Sequence, residues 1–436
     1  MKSNVLPKLC VVFSPNASRI SHLRKLYRLK SRYLTIGLCI GKPIYGEHRF
    51  FSSFKAFPTD SNYADVFQWV KTLSPDGAIN LAEGTVALHA QICEGLGIPG
   101  PPLERIRQCR NKSDMRPFLQ SLDIPCPRFT IVNGHDQHFD LPFDYPVIVK
   151  PLEGFGSAFV QRVDNASDCH AAIKQMLDNM LNHSALYNYK NESESAKKEG
   201  KFQVLIEEYL EGIVPYATLM PYRLGEISVE SVNIRGAINV LAIHDSPVAD
   251  KHSFFQKVMN STPSRLSLDL QEKAIDYVTR IHRALGNDVP VLHTEFRVTR
   301  RGLVILEFGA RLGGASIYRS VLQSTGNDLI DVLAAAALEQ DYVVKMANAL
   351  PTITHYTFGE EPGSIECWQG LPHLFALPNL VECQVYDDVG DVVSSGFCST
   401  RASGYFMLQG GDYETLEKQT LTCLQNLKIR TKSQVT

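Results

Sequence analysis

Short apolar runs alternate with helical, amphipathic stretches over the first hundred residues. Residues 8–13 (KLCVVF) and 33–40 read as apolar strands, the first ended by Ser14-Pro15-Asn16. Residues 18–30 carry a basic helical pattern; 65–73 and 85–96 read as helices, the latter closed by Gly97. A third strand is expected over 77–81, ending beside Glu83-Gly84. Strands alternating with helices predict a parallel, doubly wound sheet. Such sheets bind ligands at the carboxyl ends of their strands, which is where Glu83 falls. A helix-capping carboxylate is the structural alternative for Glu83. No glycine-rich fingerprint follows the first strand, which argues against a dinucleotide site.

Beyond the break at 97–102 (GIPGPP) the pattern changes. Residues 103–123 read as one helix containing Asn111-Lys112-Ser113, followed by an extended stretch to 132. Strands are expected over 147–151 and 158–163, joined by Leu152-Glu153-Gly154-Phe155-Gly156-Ser157, and a helix over 168–179. Residues 182–201 are polar and poor in bulky apolar side chains, which predicts a mobile insertion. Residues 202–210 read as a strand that turns polar at Glu207-Glu208; further strands are expected over 216–224, 227–234 and 240–245. Residues 251–264 read as a loop, and 270–285 as an amphipathic helix stopped by Gly286. Two apolar strands, 291–298 and 302–308, flank a turn at 299–302, and an Ala-rich helix follows over 329–339. A last region holds strands at 352–358, 380–385, 392–395 and 404–408 and a helix over 412–426. The expected domains are therefore 1–105, 106–345 (with a flap subdomain over 124–208) and 346–436.

Composition narrows the class. With 436 residues the chain is too long for one ordinary core. A formal charge of −2 leaves no basic footprint for nucleic acid. No apolar run is long enough for a membrane span, and residues 1–7 lack the features of a signal peptide. Ten cysteines are scattered without a CxxC pair, which suits reduced thiols in a cytoplasmic protein.

Three stretches carry candidate chemistry. In the hairpin, a turn centred near Arg301 sets Glu295 opposite Glu307. Opposed residues have Cβ atoms ~5 Å apart, so two carboxylates there need a cation between them. Mg²⁺ takes one or two carboxylates plus substrate phosphates; pairing with Arg297, Arg300 or Arg301 is the plainer alternative. In the second stretch Lys150 ends a strand beneath a Gly-x-Gly loop. Lysine before glycines, between two strands, is not a Walker A loop. The loop reads either as a flap whose N–H groups cap phosphate or as an ordinary turn. The third stretch is 207–211, a strand edge able to offer backbone groups to a planar base.

Taken together, "LGIPGPP", "RNKSDMRPFLQSLDIPCPRF", "YPVIVKPLEGFGS", "VLIEEYLEG" and "HTEF…LEFGARLGG" resemble the ATP-grasp superfamily over nearly the whole chain. The resemblance implies an α/β fold: a Rossmann-like N-terminal domain, two α+β ATP-grasp subdomains and a small C-terminal α+β domain. It implies ATP and Mg²⁺ as cofactors. Lys112 and Lys150 would contact nucleotide phosphates, Gly154, Gly156 and Ser157 would cover them, and Glu207, Glu208 and Leu210 would hold adenine. Glu295 and Glu307 would bind Mg²⁺, and Arg311 the transferred phosphoryl group. Gly309 stands where many relatives have an Asn metal ligand, and Val214 where many have a Glu; Glu211 is the substitute for that ribose contact. Within the superfamily the hairpin motif and C-terminal domain look like the L-amino acid ligases. That resemblance implies amide formation between small carboxylate and amine substrates through an acyl phosphate. Glu83, His293, Arg311 and Gly314 would contact substrate, with His293, Lys150 and Arg311 serving catalysis. A buried, hydrogen-bonded structural role is the alternative for His293. Dimers are common among similar enzymes. The competing readings are a purine-pathway or carboxylase-like enzyme and a nucleotide-binding protein without activity.

Overall fold

The computed structural model describes residues 6–14, 26–43, 46–134, 136, 139–154, 156–157, 159–182, 203–248, 258–314, 316–345, 349–359, 361–393 and 402–432. The N-terminal sheet comprises β1 (Lys8–Phe13), β2 (Leu34–Ile40), β3 (Ser53–Phe57) and β4 (Gly77–Asn80), all parallel in the order β3-β2-β1-β4. The half-exposed edge strand β3 was not expected; its sequence, SFKAF, lacks an apolar run. Helices α1 (Tyr63–Leu73) and α2 (Val86–Leu96) flank β4, and Asn62 caps α1 by accepting from the Ala64 N–H. Of the basic helix expected over 18–30, residues 26–29 are helical and 18–25 lie outside the described residues.

The single helix expected over 103–123 is two, α3 (Leu103–Arg110) and α4 (Lys112–Ser121). The break falls at Asn111, whose backbone is extended and whose side chain accepts from the Ser113 N–H at 2.9 Å. This cap starts α4 at Lys112 and aims that lysine into a cleft. The flap lobe is an antiparallel sheet of β5 (Phe129–Asn133), β6 (Val147–Pro151), β7 (Gln161–Val163) and β8 (Gln203–Glu208), ordered β5-β8-β6-β7 and backed by α5 (Ala166–Asn182). The strand expected from 158 begins only at Gln161, because left-handed backbone at Gly156, Ser157 and Phe159 keeps the chain in turns. Nearly all of the expected insertion, 183–201, lies outside the described residues.

Eight strands form the central sheet, in the order β13-β12-β9-β10-β11-β14-β18-β16. They are β9 (Leu224–Ile234), β10 (Ala237–Pro247), β11 (Met259–Thr262), β12 (Val291–Thr299), β13 (Gly302–Gly309), β14 (Thr352–Thr357), β16 (Leu380–Val385) and β18 (Gly404–Gln409). Two expectations fail here. Residues 216–223 are irregular rather than a strand, and Met259–Thr262, polar but fully buried, is a strand inside the region read as a loop. Residues 249–257 of that region lie outside the described residues. Because β14 pairs with β11, the strands on both sides of residue 346 belong to one sheet. A smaller sheet holds β15 (Gly363–Gln369), β17 (Val392–Val393) and β19 (Lys428–Lys432); residues 394–395 of the strand expected there lie outside the described residues.

One face of β12 packs on α6 (Leu268–Leu285): Leu292, Phe296, Ile305 and Phe308 are buried against Tyr277, Val278 and Ile281. Burying each such side chain is worth about 1.5–3 kcal/mol. The packing fixes the hairpin, so its alternate residues, His293, Glu295 and Arg297, must face the opposite side. Helices α7 (Ile317–Thr325), which was not expected, and α8 (Leu329–Ala337) tie the sheet to the N-terminal domain through one shared apolar cluster. The nine cysteines among the described residues form no disulfide, and no described helix is long and apolar enough to cross a membrane.

Candidate active site

Glu295 and Glu307 are paired across β12 and β13, as the sequence predicts, but by a different route. The tight turn pairs Thr299 with Gly302, which in unbroken register would set Glu295 against Leu306. A register shift between Glu295 and Phe296 on β12 leaves Leu306 as the extra residue on β13 and brings Glu307 into line. The Leu306 carbonyl accepts from Arg116 Nη2 at 2.7 Å, and the Ile305 N–H donates to the Pro125 carbonyl at 2.9 Å. The bulge is thus fixed from outside the sheet.

Each carboxylate has a basic nitrogen beside it. Lys112 Nζ lies 3.2 Å from Glu307 Oε2, and His293 Nε2 lies 3.1 Å from Glu295 Oε1. The other His293 nitrogen is 2.5 Å from Glu230, which is fully buried. Burial opposes a charge on His293, but Glu230 and then Glu295 outweigh it and raise its pKa. His293 therefore stands behind Glu295 and orients it, between two carboxylates. The second Glu230 oxygen has no hydrogen-bond partner among the described residues.

Lys150, at the end of β6, reaches Glu207 Oε2 at 2.5 Å; Arg116 Nε and Nη2 hold Glu207 Oε1 at 2.8 and 2.5 Å. Burial lowers the Lys150 pKa to about 8, with Glu207 working in the opposite direction. Burial alone would raise Glu207, yet Arg116 and then Lys150 hold it below the usual carboxylate range. Glu208 pairs with Arg128 and Arg301 at 3.0 and 2.8 Å. Its N–H donates to the Arg128 carbonyl, and that of Tyr209 to Pro146. Arg297 Nη1 donates to the Leu210 carbonyl at 2.9 Å, and its Nη2 pairs with Glu226 at 2.5 Å.

A cleft open to solvent lies between the flap lobe and the central sheet. Lys112, Lys150, Gly154, Ser157, Glu207, Glu208, Leu210, Glu295 and Glu307 all face it. A second, smaller lobe shares Lys112, Gly154 and Glu307 and continues to Glu83, Arg110, His293 and Arg311. There Glu83 bonds to Arg311 and to Arg110, the latter at 3.2 Å. Burial pushes Glu83 up, but Arg311 and then Arg110 outweigh it and keep it ionised.

Residues 143–319 match the family model described as the ATP-grasp domain. The chain contains an ATP-grasp domain. The fold superposes on the L-amino acid ligase from Bacillus licheniformis with a TM-score of 0.80 at 19% identity, covering 99% of this chain and 100% of that one. It also superposes on phosphoribosylglycinamide synthetase from Anaerococcus prevotii, with a TM-score of 0.69, 16% identity and coverage of 98% and 100%. In sequence it is 24% identical over 318 residues to the uncharacterized protein y4rH of Sinorhizobium fredii, covering 72% of this chain and 60% of that protein. It is 22% identical over 255 residues to alanine–anticapsin ligase of Bacillus subtilis, covering 57% and 51%. The chain thus spans half to three-fifths of the length of these two relatives.

The ATP-grasp cleft suits the groups the fold implies. No cluster of three or more His, Cys, Asp or Glu among the described residues is arranged to hold a metal alone. Two facing carboxylates nevertheless suit Mg²⁺, which takes one or two of them when phosphate oxygens and water complete its shell. Gly309 pairs with His293 and presents no donor side chain. Two lysines converging on the same space supply the matching charge for phosphates. Some expected residues fall elsewhere: Glu211 is exposed and Gly314 is exposed, and neither lines a lobe. Gly156 lies in the loop beside Ser157 without lining the cleft. The sequence reading missed Arg116, Arg110, and the Glu226–Arg297 pair that lines the larger cleft. The available signal was weak: buried charges at strand positions otherwise apolar, as in Glu226 and Arg297.

Proposed function

We propose that this chain is an ATP-dependent carboxylate–amine ligase that joins an amino acid to a second amino acid or amine and releases ADP and phosphate. One observation carries the reading: the lysine-lined cleft shares Lys112, Gly154 and Glu307 with an adjoining lobe where Arg311 and Glu83 stand side by side. An arginine beside a carboxylate suits an amino acid, whose carboxylate and ammonium require opposite partners. The L-amino acid ligase fold and the alanine–anticapsin ligase relative support this choice.

In the proposed reaction a substrate carboxylate oxygen attacks the γ-phosphorus of ATP and ADP departs. The amine then attacks the acyl carbon, phosphate leaves, and the amine loses a proton. Lys112 and Lys150 bind phosphate oxygens. Gly154 and Ser157 cover them and exclude water, which would hydrolyse an acyl phosphate. Leu210 meets the base through its backbone, because the N–H groups of Glu208 and Tyr209 already have partners. Glu295 and Glu307 would hold Mg²⁺, which supplies charge neutralisation at the phosphoryl group. Arg311 orients the carboxylate, Glu83 receives the ammonium, and His293 positions Glu295. A cytoplasmic setting belongs to the same proposal.

ADP release from MgATP, measured with pairs of L-amino acids, tests the reading; mass spectrometry then names the amide. The phosphoribosylglycinamide synthetase fold match supports a second reading, a phosphoribosyl amine as nucleophile. ADP release with a ribotide and with no amino acid pair would favour it. Tight ATP binding without release under any condition would favour a protein that only binds nucleotide.

A further inference from the structure

Arg110 ends α3, immediately before the Asn111 break, and lines only the second lobe. Its Nε lies 3.2 Å from Glu83 Oε1, and its Nη2 lies 3.4 Å from Glu153 Oε2 in the glycine-rich loop. Asn111 Nδ2 donates to the other Glu153 oxygen at 3.4 Å, and the Lys112 N–H donates to the Leu152 carbonyl at 3.0 Å. The α3–α4 junction thus grips the base of the loop at three points while one of its side chains also holds Glu83. The next loop residue, Gly154, faces both lobes.

One guanidinium is therefore divided between two carboxylates, and all three side chains are largely removed from solvent, 13, 13 and 21% exposed. Charge-assisted bonds are the strong ones, and they strengthen as water is excluded. A cation that engages Glu83 weakens its claim on Arg110 and leaves Glu153 the stronger partner. Glu83 itself does not line the nucleotide lobe.

We propose that Arg110 is a positioning residue coupling the two lobes: an amino acid ammonium that pairs with Glu83 turns Arg110 toward Glu153 and draws the glycine-rich loop over the nucleotide. The identity of that ammonium rests on the ligase reading; the coupling rests on the geometry. Linkage makes it reciprocal, so nucleotide tightens the amino acid by the same factor.

Calorimetric titration of the full chain with MgADP tests this without a second substrate. Glu83→Gln, which removes the negative charge that competes for Arg110, should tighten MgADP about fivefold, the low end of typical coupling. In an Arg110→Gln or Glu153→Gln background that gain should vanish. An equal gain in those backgrounds would mean that Glu83 acts on phosphates through space, and would overturn the proposal; so would no gain in the parent chain. Should Glu83→Gln not fold, a mixture of the twenty L-amino acids replaces it: the mixture should tighten MgADP for the parent chain and not for Arg110→Gln, and equal tightening in both would overturn the proposal. A folded parent chain that does not bind MgADP would instead overturn the nucleotide reading itself.

Discussion

Lys150 is the residue whose chemistry depends most on its surroundings. Buried at the cleft floor, its ammonium has a pKa lowered to about 8, so it is charged at neutral pH and loses that charge as pH rises through 8. Added phosphates favour the charged form. Binding of MgATP at pH ~8.5 is therefore expected to take up a fraction of a proton, measurable by calorimetry in buffers of different ionisation enthalpy. Stability runs the other way. The unfolded lysine binds its proton up to its ordinary value, so this group makes folding more favourable as pH rises from 8 toward 10.5. A variant Lys150→Met should abolish the proton uptake; uptake unchanged in that variant would assign it elsewhere. At the proposed metal position, Glu307→Gln should lower Mg-dependent turnover about a hundredfold or more with little change in thermal stability, since Glu307 is 30% exposed and its salt bridge among the described residues is to Lys112. A Cβ at Gly309 would meet Arg311 and Glu83 at 3.4–3.8 Å, ordinary contact distances. Gly309→Asn should therefore be accepted, and should lower the Mg²⁺ concentration for half-maximal turnover; no change in that concentration would place the metal away from this strand.

At the level of elements, the Arg116–Glu207–Lys150 cluster joins α4, β8 and β6 at the root of the flap. Arg116 is fully buried and also holds the Leu306 bulge. Glu207 is the shared anion of this cluster, and removing it leaves two buried cations uncompensated. Glu207→Leu is expected to cost about 3–5 kcal/mol in a denaturant titration, and Glu207→Leu with Arg116→Met should recover part of it. Equal losses in the single and double variants would mean that the stranded Arg116 charge is not what costs. This cluster was illegible in the sequence, because Arg116 and Glu207 are 91 residues apart and ion partners leave no periodic trace. The hairpin was legible because apolar, β-branched runs declare strands. Its pairing of Glu295 with Glu307 was reached with the turn centre half a residue off, an error the bulge cancels. The α3–α4 break was missed because Asn111 lies within an unbroken helical pattern, and only its side-chain cap reveals the end. Met259–Thr262 was read as loop because three of its four residues are polar, which is a loop signal, although all four are buried within the sheet.

On the scale of the whole molecule, the N-terminal parallel sheet, the flap lobe and the central sheet each contribute one wall of the site. Glu83 comes from the first, Lys150 from the second and Glu295 with Glu307 from the third. The order and spacing of the motifs made this convergence readable, through their resemblance to the ATP-grasp superfamily. Which lobe each residue enters was not readable, as Glu211 and Gly314 demonstrate by lying outside both. The central claim is that this convergence activates a carboxylate by phosphorylation. The most direct test supplies MgATP, an amine and an amino acid whose carboxylate carries heavy oxygen, and follows the label by mass spectrometry. One labelled oxygen should appear in inorganic phosphate for each amide formed, with ADP as the nucleotide product. Amide formed with unlabelled phosphate, or with AMP in place of ADP, would contradict the account.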